Sequence, residues 1–317
     1  MTAESGGKAK TEGGESLLTV IIAFVANLVI AIAKSAAAVI TGSAAMLAEA
    51  AHSWADAGNE IFLLIADRRS GRRRDRAHPM GFGREAYVWS MFAAFGLFTA
   101  GAVVSIMHGI TELIEPEPAG NYPIAYVILA IAFVLEGISF TQAFRQARRY
   151  ARAQRISTLR FILQTSNPTL RAVFAEDAAA LLGLIIAGGS VALHQLTGSP
   201  VPDAIGSILV GVLLAVVAVF LIDRNRRFLV GEQVQPELRQ VALRKLLSHP
   251  EVARVTYLHL EFVGPSRVYL VAAVDMTGDD AEHDLAVRLR RVERELEEHD
   301  AIEEAVLTLA TAEEPSL

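Results

Sequence analysis

Long apolar runs separated by short polar connections fill the sequence up to about residue 230, and shorter segments of alternating apolar and polar positions follow. Six runs stand out: roughly Leu17 to Ile40, Ala44 to Ala66, Ala86 to Gly109, Tyr122 to Phe144, Leu170 to Leu193 and Val201 to Ile222. A helix needs about 20 largely apolar residues to cross a bilayer, so each run predicts a transmembrane helix. From Gly231 onward the pattern is that of a soluble domain. Pro236 to Ser248 has helical periodicity, opening with Pro-Glu and stopping before His249-Pro250. Val252 to Val263 and Arg267 to Met276 alternate around Gly264-Pro265-Ser266, which predicts a β-hairpin. Asp280 to Glu298 carries Leu285, Leu289, Val292 and Leu296 on one helical face, and Ala305 to Leu309 reads as a last strand. The order α-β-β-α-β predicts a compact α+β domain with helices on one face of a sheet, whose other face or edge is available for self-association. Met1 to Glu15, rich in Gly, Ser, Lys and Glu, reads as a disordered tail without the apolar core of a signal peptide.

Composition sharpens this reading. At 317 residues and 52% hydrophobic, the chain is expected to be a polytopic membrane protein with a soluble part. The net charge of -6 matters less than its distribution. Arginines crowd the connection from Arg68 to Arg84, that from Arg145 to Arg171, and Arg224, Arg226 and Arg227 after the sixth run. The connections around Thr41-Gly42-Ser43, Glu115-Pro116-Glu117-Pro118 and Thr197-Gly198-Ser199-Pro200 contain no Lys or Arg. The positive-inside rule then puts both termini in the cytoplasm of a multi-pass protein, by default in a plasma or inner cell membrane. These arginines flank membrane spans and are not interleaved with stacking aromatics, so their expected partner is membrane lipid and not nucleic acid. Cysteine is absent, so any metal must be held by nitrogen and oxygen donors.

The second run is the unusual one. Glu49, His52, Asp56 and Asn59 recur at helical spacing and form a polar stripe in an apolar segment. Ionisable groups near the bilayer centre each cost on the order of 2.5 to 3.5 kcal/mol on insertion scales, and are tolerated where they face a bundle interior, water or a cation. His52 and Asp56, one turn apart, can reach one borderline divalent ion; a polar cluster that merely joins helices is the plainer alternative. The fifth run adds Glu176 and Asp177 about two turns inside a membrane helix. Together the four residues offer one nitrogen and three carboxylates, enough for a four-coordinate site. Lys34 in the first run and Glu136 in the fourth are further intramembrane charges, which could pair with each other or with Glu49, or pass protons. Asn59 is a candidate auxiliary oxygen donor, and Asp203 is placed to cap a helix start. The spans contain no His-Glu-x-x-His, Ser-His or Gly-x-Ser-x-Gly arrangement, which argues against an enzyme.

The stretch Gly42-Ser43-Ala44-Ala45-Met46-Leu47-Ala48-Glu49-Ala50-Ala51-His52-Ser53-Trp54-Ala55-Asp56 and the segment His78-Pro79-Met80-Gly81-Phe82-Gly83-Arg84-Glu85-Ala86-Tyr87, with six spans and the αββαβ tail, resemble the cation diffusion facilitator family. The resemblance implies a six-helix transport domain over 16–227 after a tail over 1–15. A cytoplasmic α+β domain over 228–312, ferredoxin-like or metallochaperone-like, would serve dimerisation and regulation. It implies a homodimeric secondary transporter that exports a divalent transition metal, usually zinc, in exchange for protons. His52 and Asp56 match the second-span half of the family's transport site. The fifth-span pattern His-x-x-x-Asp is not kept, because those places hold Glu176 and Ala180. That resembles the branch with a Glu-Asp pair, so that Asp177 supplies the missing ligand or acts as a proton acceptor or orienting group. Exchanging imidazole for carboxylate shifts preference toward harder ions, which leaves Zn²⁺, Mn²⁺, Fe²⁺ and Co²⁺ open. A second family site in the loop keeps Asp75 and His78 but has Phe82 in the third place, and of the tail's sensing positions only His283 persists. A membrane metal sensor or assembly scaffold that binds ions without moving them is the alternative.

Overall fold

The computed structural model describes residues 8–116, 120–278 and 280–317. It separates into two compact units, one of Leu170–Ile222, Ser90–Leu163 and the chain up to Leu64, the other of Ile65–Trp89, Gln164–Thr169 and Asp223–Leu317.

The first unit is helical. Its elements come from α1 (Lys8–Thr41), α2 (Ala44–Ser70), α3 (Glu85–Gly96) continuing through a π-helical stretch Leu97–Val103 into α4 (Val104–Ile114), α5 (Tyr122–Ala153), α6 (Thr158–Gln164), α7 (Pro168–Thr197) and α8 (Val201–Val230). Among the described residues, four helices are long and apolar enough to cross a membrane: Glu85–Ile114, Tyr122–Ala153, Pro168–Thr197 and Val201–Val230. Asn27–Thr41 is a shorter apolar helix, and α2 carries its polar stripe. Helix starts at Lys8, inside the stretch expected as a disordered tail; residues 1–7 lie outside the described ones. Lys, Ala and Glu at this point are good helix formers, and extending an existing helix avoids the cost of nucleating one. The connection rich in arginine also contains a helix that the pattern did not announce, α6, whose Phe161 and Ile162 pack on Ala147, Ala151 and Leu170.

Large apolar side chains point outward at helical spacing, as Val127, Ile131, Val134 and Ile138 do on α5 and Ile205, Leu209, Val212 and Val216 do on α8. Small residues point inward, which lets backbones approach. A Cβ on Gly109 would come within 2.7 Å of the Ala204 carbonyl, and one on Gly211 within 2.9 Å of the Ala102 carbonyl, so α4 and the π-helical stretch lie directly against α8. Both Thr-Gly-Ser connections end a helix in the same way. Gly42 (φ 66°) and Gly198 (φ 69°) adopt the left-handed region and donate their N–H to Ala38 and His194 carbonyls at 2.9 and 2.8 Å.

The second unit holds α9 (Pro236–Leu247), β1 (Val252–Gly264), β2 (Arg267–Met276), α10 (Glu282–Glu297) and β3 (Ile302–Leu309), the α-β-β-α-β order that the pattern predicts. The sheet is mixed, in order β1-β2-β3, with β1 antiparallel and β3 parallel to β2. Val255, Leu258, Leu260, Leu270, Val274 and Leu307 form its inner face with Leu246 of α9 and Val292 and Leu296 of α10. Buried Glu293 of α10 accepts the Leu307 N–H at 2.8 Å and so ties helix to strand. Tyr87 and Phe228 stack at 5.0 Å and join the same core.

Candidate metal site

The start of α2 is fixed first. Asp203 accepts the Ser43 hydroxyl at 2.9 Å and the Ala44 N–H at 2.7 Å, while Ser43 Oγ accepts the Met46 N–H at 3.1 Å. Asp203 opens the sixth run, but the helix start that it caps is that of α2. From that anchor the helical repeat carries Glu49, His52, Asp56, Asn59 and Glu60 inward in a line. Glu49 and His52 are wholly buried, and the Asp56 side chain is 17% exposed. His52 Nε2 lies 3.4 Å from Asp56 Oδ2. Neither ring nitrogen of His52, nor Asp56 Oδ1, has a hydrogen-bond partner among the described residues.

α7 supplies the facing carboxylates. Successive positions differ by about 100° around a helix, so Glu176 and Asp177 meet different neighbours. Buried Glu176 Oε1 accepts the Asn59 side-chain N–H at 3.0 Å, which joins it to the α2 line. Asp177 Oδ2 accepts the Ser139 hydroxyl of α5 at 2.8 Å. The structure thus brings His52 and Asp56 together and links Glu176 to them through Asn59, but holds Asp177 toward α5. Among the described residues, no three His, Asp or Glu side chains are gathered as a metal cage.

The other charges within the helical unit sort themselves out by packing. Lys34 Nζ donates to Glu49 Oε2 at 2.9 Å, with both side chains fully buried, so its partner is Glu49. Glu136 lies one turn before Ser139 on α5. Glu60 was not singled out from sequence; its Oε1 accepts the Asn27 side-chain N–H of α1 at 2.6 Å, and its Oε2 has no partner among the described residues. The signal was present, since Glu60 follows Asp56 by four positions and His52 by eight. Ser139 and Asn27 carried no comparable sequence signal.

Outside the spans, Asp75 accepts the His78 and Ala77 N–H groups at 2.8 and 2.9 Å and lies 3.0 Å from His78 Nδ1. These bonds, the His78 side chain first, hold the Asp75 carboxyl below the usual carboxylate range. The His78 ring packs on Phe82 at 4.2 Å, and Arg72 lies over the Phe82 face at 4.3 Å. Phe82 fills the third place with an apolar ring, and the segment packs on β1, where a Cβ on Gly83 would lie 2.6 Å from the Val263 carbonyl oxygen. His283 is exposed in the first turn of α10.

The family model described as "Cation efflux transmembrane domain" matches residues 20–230, two thirds of the chain. The chain belongs to the cation diffusion facilitator family. Relatives of this chain include the "Proton-coupled zinc antiporter SLC30A9, mitochondrial" of Xenopus laevis, 38% identical over 82% of this chain and 46% of that protein. They also include the "Metal tolerance protein C4" of Arabidopsis thaliana, 34% identical over 75% of this chain and 52% of that protein. The "Zinc transporter ZitB" of Pectobacterium atrosepticum is 26% identical over 94% of this chain and 87% of its own. The chain spans about half the length of the first two relatives. A multi-pass membrane location stands, but the expected plasma or inner cell membrane is overturned by the animal relatives, which are named as mitochondrial. Arginine counting orients a chain across a bilayer and carries no information on which bilayer it is.

Proposed function

We propose that the chain is a six-span metal:proton antiporter that exports a divalent transition metal, zinc first, as a homodimer joined through its C-terminal α+β domain. The observation that carries this is the His52/Asp56 pair on α2, with unpartnered nitrogen and oxygen atoms, on the same helix as Asn59, which bonds Glu176 of α7. His52, Asp56 and Glu176 would hold the ion as cargo, with Asp177 turning from Ser139 to complete the set. Imidazole and carboxylate donors suit zinc, and three carboxylates to one imidazole leave Mn²⁺, Fe²⁺ and Co²⁺ as weaker competitors. The relatives named as zinc antiporter and zinc transporter support that order.

Proton coupling follows from the donor chemistry. A metal binds neutral imidazole and ionised carboxylates, so each ion that enters displaces protons and each proton that returns weakens the grip. Zinc affinity therefore falls as pH drops. The test is zinc flux into proteoliposomes under an imposed pH gradient, with His52→Ala alongside the wild type. Gradient-driven flux that His52→Ala reduces at least tenfold supports the reading; zinc binding without flux would make the chain a sensor or scaffold instead.

A further inference from the structure

The line of polar groups on α2 has a boundary at Glu49. Between Ala44 and Glu49, Ala44, Ala45, Met46, Ala48 and Glu49 are all fully buried. Beyond the buried Asp203–Ser43 cap, that half packs against small and apolar side chains, with Ala37, Ala45, Met46, Ala125, Leu184 and Ala187 from α1, α2, α5 and α7 in one cluster. Past His52 the environment changes. Asp56, Glu60, Glu136 and Asp177 are only partly buried beside the buried Asn59 and Glu176, and Glu60 and Asp177 accept from the polar side chains of Asn27 and Ser139.

The Lys34–Glu49 ion pair stands at that boundary, one turn from His52. Its ammonium and one carboxylate oxygen are 2.9 Å apart and wholly buried, and the second oxygen, Glu49 Oε1, has no partner among the described residues. α7 passes at this oxygen with Gly183, where a Cβ would lie 2.6 Å from it. Three helices thus converge on one charge pair, and a glycine makes the approach sterically possible.

A buried ion pair is a weak source of stability, since a well-packed apolar pair of similar volume is often as stable or more so. What the ion pair can do, and an apolar contact cannot, is separate when water reaches it and re-form when water leaves. We propose that Lys34–Glu49 is the gate that closes the route between the His52/Asp56 site and the end of the bundle where α2 begins; this rests on the transport reading above. Closed, the pair holds α1 to α2 against α7. The Lys34 ammonium also repels a divalent cation moving from His52 in that direction, so the ion cannot pass while the pair is in place. Opening separates and hydrates both charges, and Gly183 leaves the Glu49 carboxylate room to slide along α7.

The test uses the full chain in proteoliposomes with the apolar double variant Lys34→Met/Glu49→Met. Because the sequence has no cysteine, Ala45→Cys reports opening through its rate of reaction with a water-soluble thiol reagent. The double variant is expected to bind zinc within threefold of the wild type, to lose at least tenfold in zinc flux, and to slow Ala45→Cys labelling at least tenfold. Flux and labelling at wild-type rates would overturn the gate, and so would loss of zinc binding, which would make the pair part of the binding site. Gly183→Ala changes no charge and crowds Glu49, and should slow flux at least threefold with zinc binding kept; unchanged flux there also overturns the proposal. A wild type that binds zinc but moves none removes the transport reading itself, whereas a wild type that moves zinc beside an unimpaired double variant removes the gate alone.

Discussion

Replacing Asn59 by alanine is the sharpest probe of how the two helices share one site. Asn59 donates to Glu176 at 3.0 Å, and the two residues are 1% and 7% exposed. A hydrogen bond to a charged group contributes about 1.5 to 3 kcal/mol net, and its loss here leaves Glu176 without the donor that orients it. Groups that orient a metal ligand typically change affinity by about 10- to 100-fold, which is about 1.4 to 2.7 kcal/mol and agrees with the hydrogen-bond figure. Asn59→Ala is therefore expected to weaken zinc binding by about 10- to 100-fold. The assay is competition with a fluorescent zinc chelator on the purified full chain, with a melting curve recorded without metal to separate loss of fold from loss of grip. Glu176→Gln and the double variant complete a cycle. If Asn59 acts through Glu176, the double variant binds no worse than Glu176→Gln alone. Full additivity of the two losses, or an affinity within threefold of the wild type in a folded Asn59→Ala protein, would refute the shared site.

Two further outcomes follow from groups outside the metal set. Asp203→Ala removes the two bonds that hold the start of α2, at 2.9 and 2.7 Å, and should lower stability by about 2 to 4 kcal/mol in a denaturant or thermal melt, with Asp203→Asn intermediate. The Asp75 carboxyl is held low by His78, so the turn is favoured above about pH 3.9 and that preference fades as pH falls through the lower folded value; His78→Ala should return the Asp75 titration, followed by NMR, toward about 3.9.

The C-terminal domain was legible because its segments obey one period each. The hairpin turn at Gly264-Pro265-Ser266 and the apolar face of Leu285, Leu289, Val292 and Leu296 are local patterns, and the structure pairs Leu260 with Leu270 and buries Val292 and Leu296 accordingly. His52 and Asp56 were legible for the same reason, since four residues on a helix is one turn. What sequence could not supply is which helix faces which. Lys34 had Glu49 and Glu136 as possible partners, and only the packing of α1 on α2 selects Glu49. Asp177 turns to Ser139 and Glu176 to Asn59 because of the rotation of α7 about its axis, which its evenly apolar surface does not reveal. The π-helical stretch Leu97–Val103 has no sequence signature, although Gly101, against which Leu214 of α8 packs, is where such a stretch would be tolerated. The short α6 was hidden by the arginines that surround it.

The buried polar atoms on α2 also separate a cation pathway from a cluster that merely joins helices. Where this chain uses polar groups structurally it pairs them: Ser207 donates to the Ser105 carbonyl at 2.8 Å, Thr41 to the Ala37 carbonyl at 2.7 Å, and Asp203 takes two donors. Groups without partners among the described residues include Ser105 Oγ, His194 Nδ1 and Glu232 Oε2, but a row of them shares α2: Glu49 Oε1, the His52 ring nitrogens, Ser53 Oγ, Asp56 Oδ1 and Glu60 Oε2. Apart from one N–H of a neutral imidazole and the Ser53 hydroxyl, the groups of this row are acceptors. Each buried group left unmatched costs about 1 to 3 kcal/mol. Acceptors set side by side cannot satisfy one another, so a structural cluster would need donors among them, as Asn27 and Asn59 are for Glu60 and Glu176. A positive charge can satisfy several acceptors at once, and Lys34 satisfies one oxygen of Glu49. Lys34 stands near His52 and Asp56 but is bonded to Glu49, so for their unpaired acceptors the same physics favours a second cation, one that arrives and leaves.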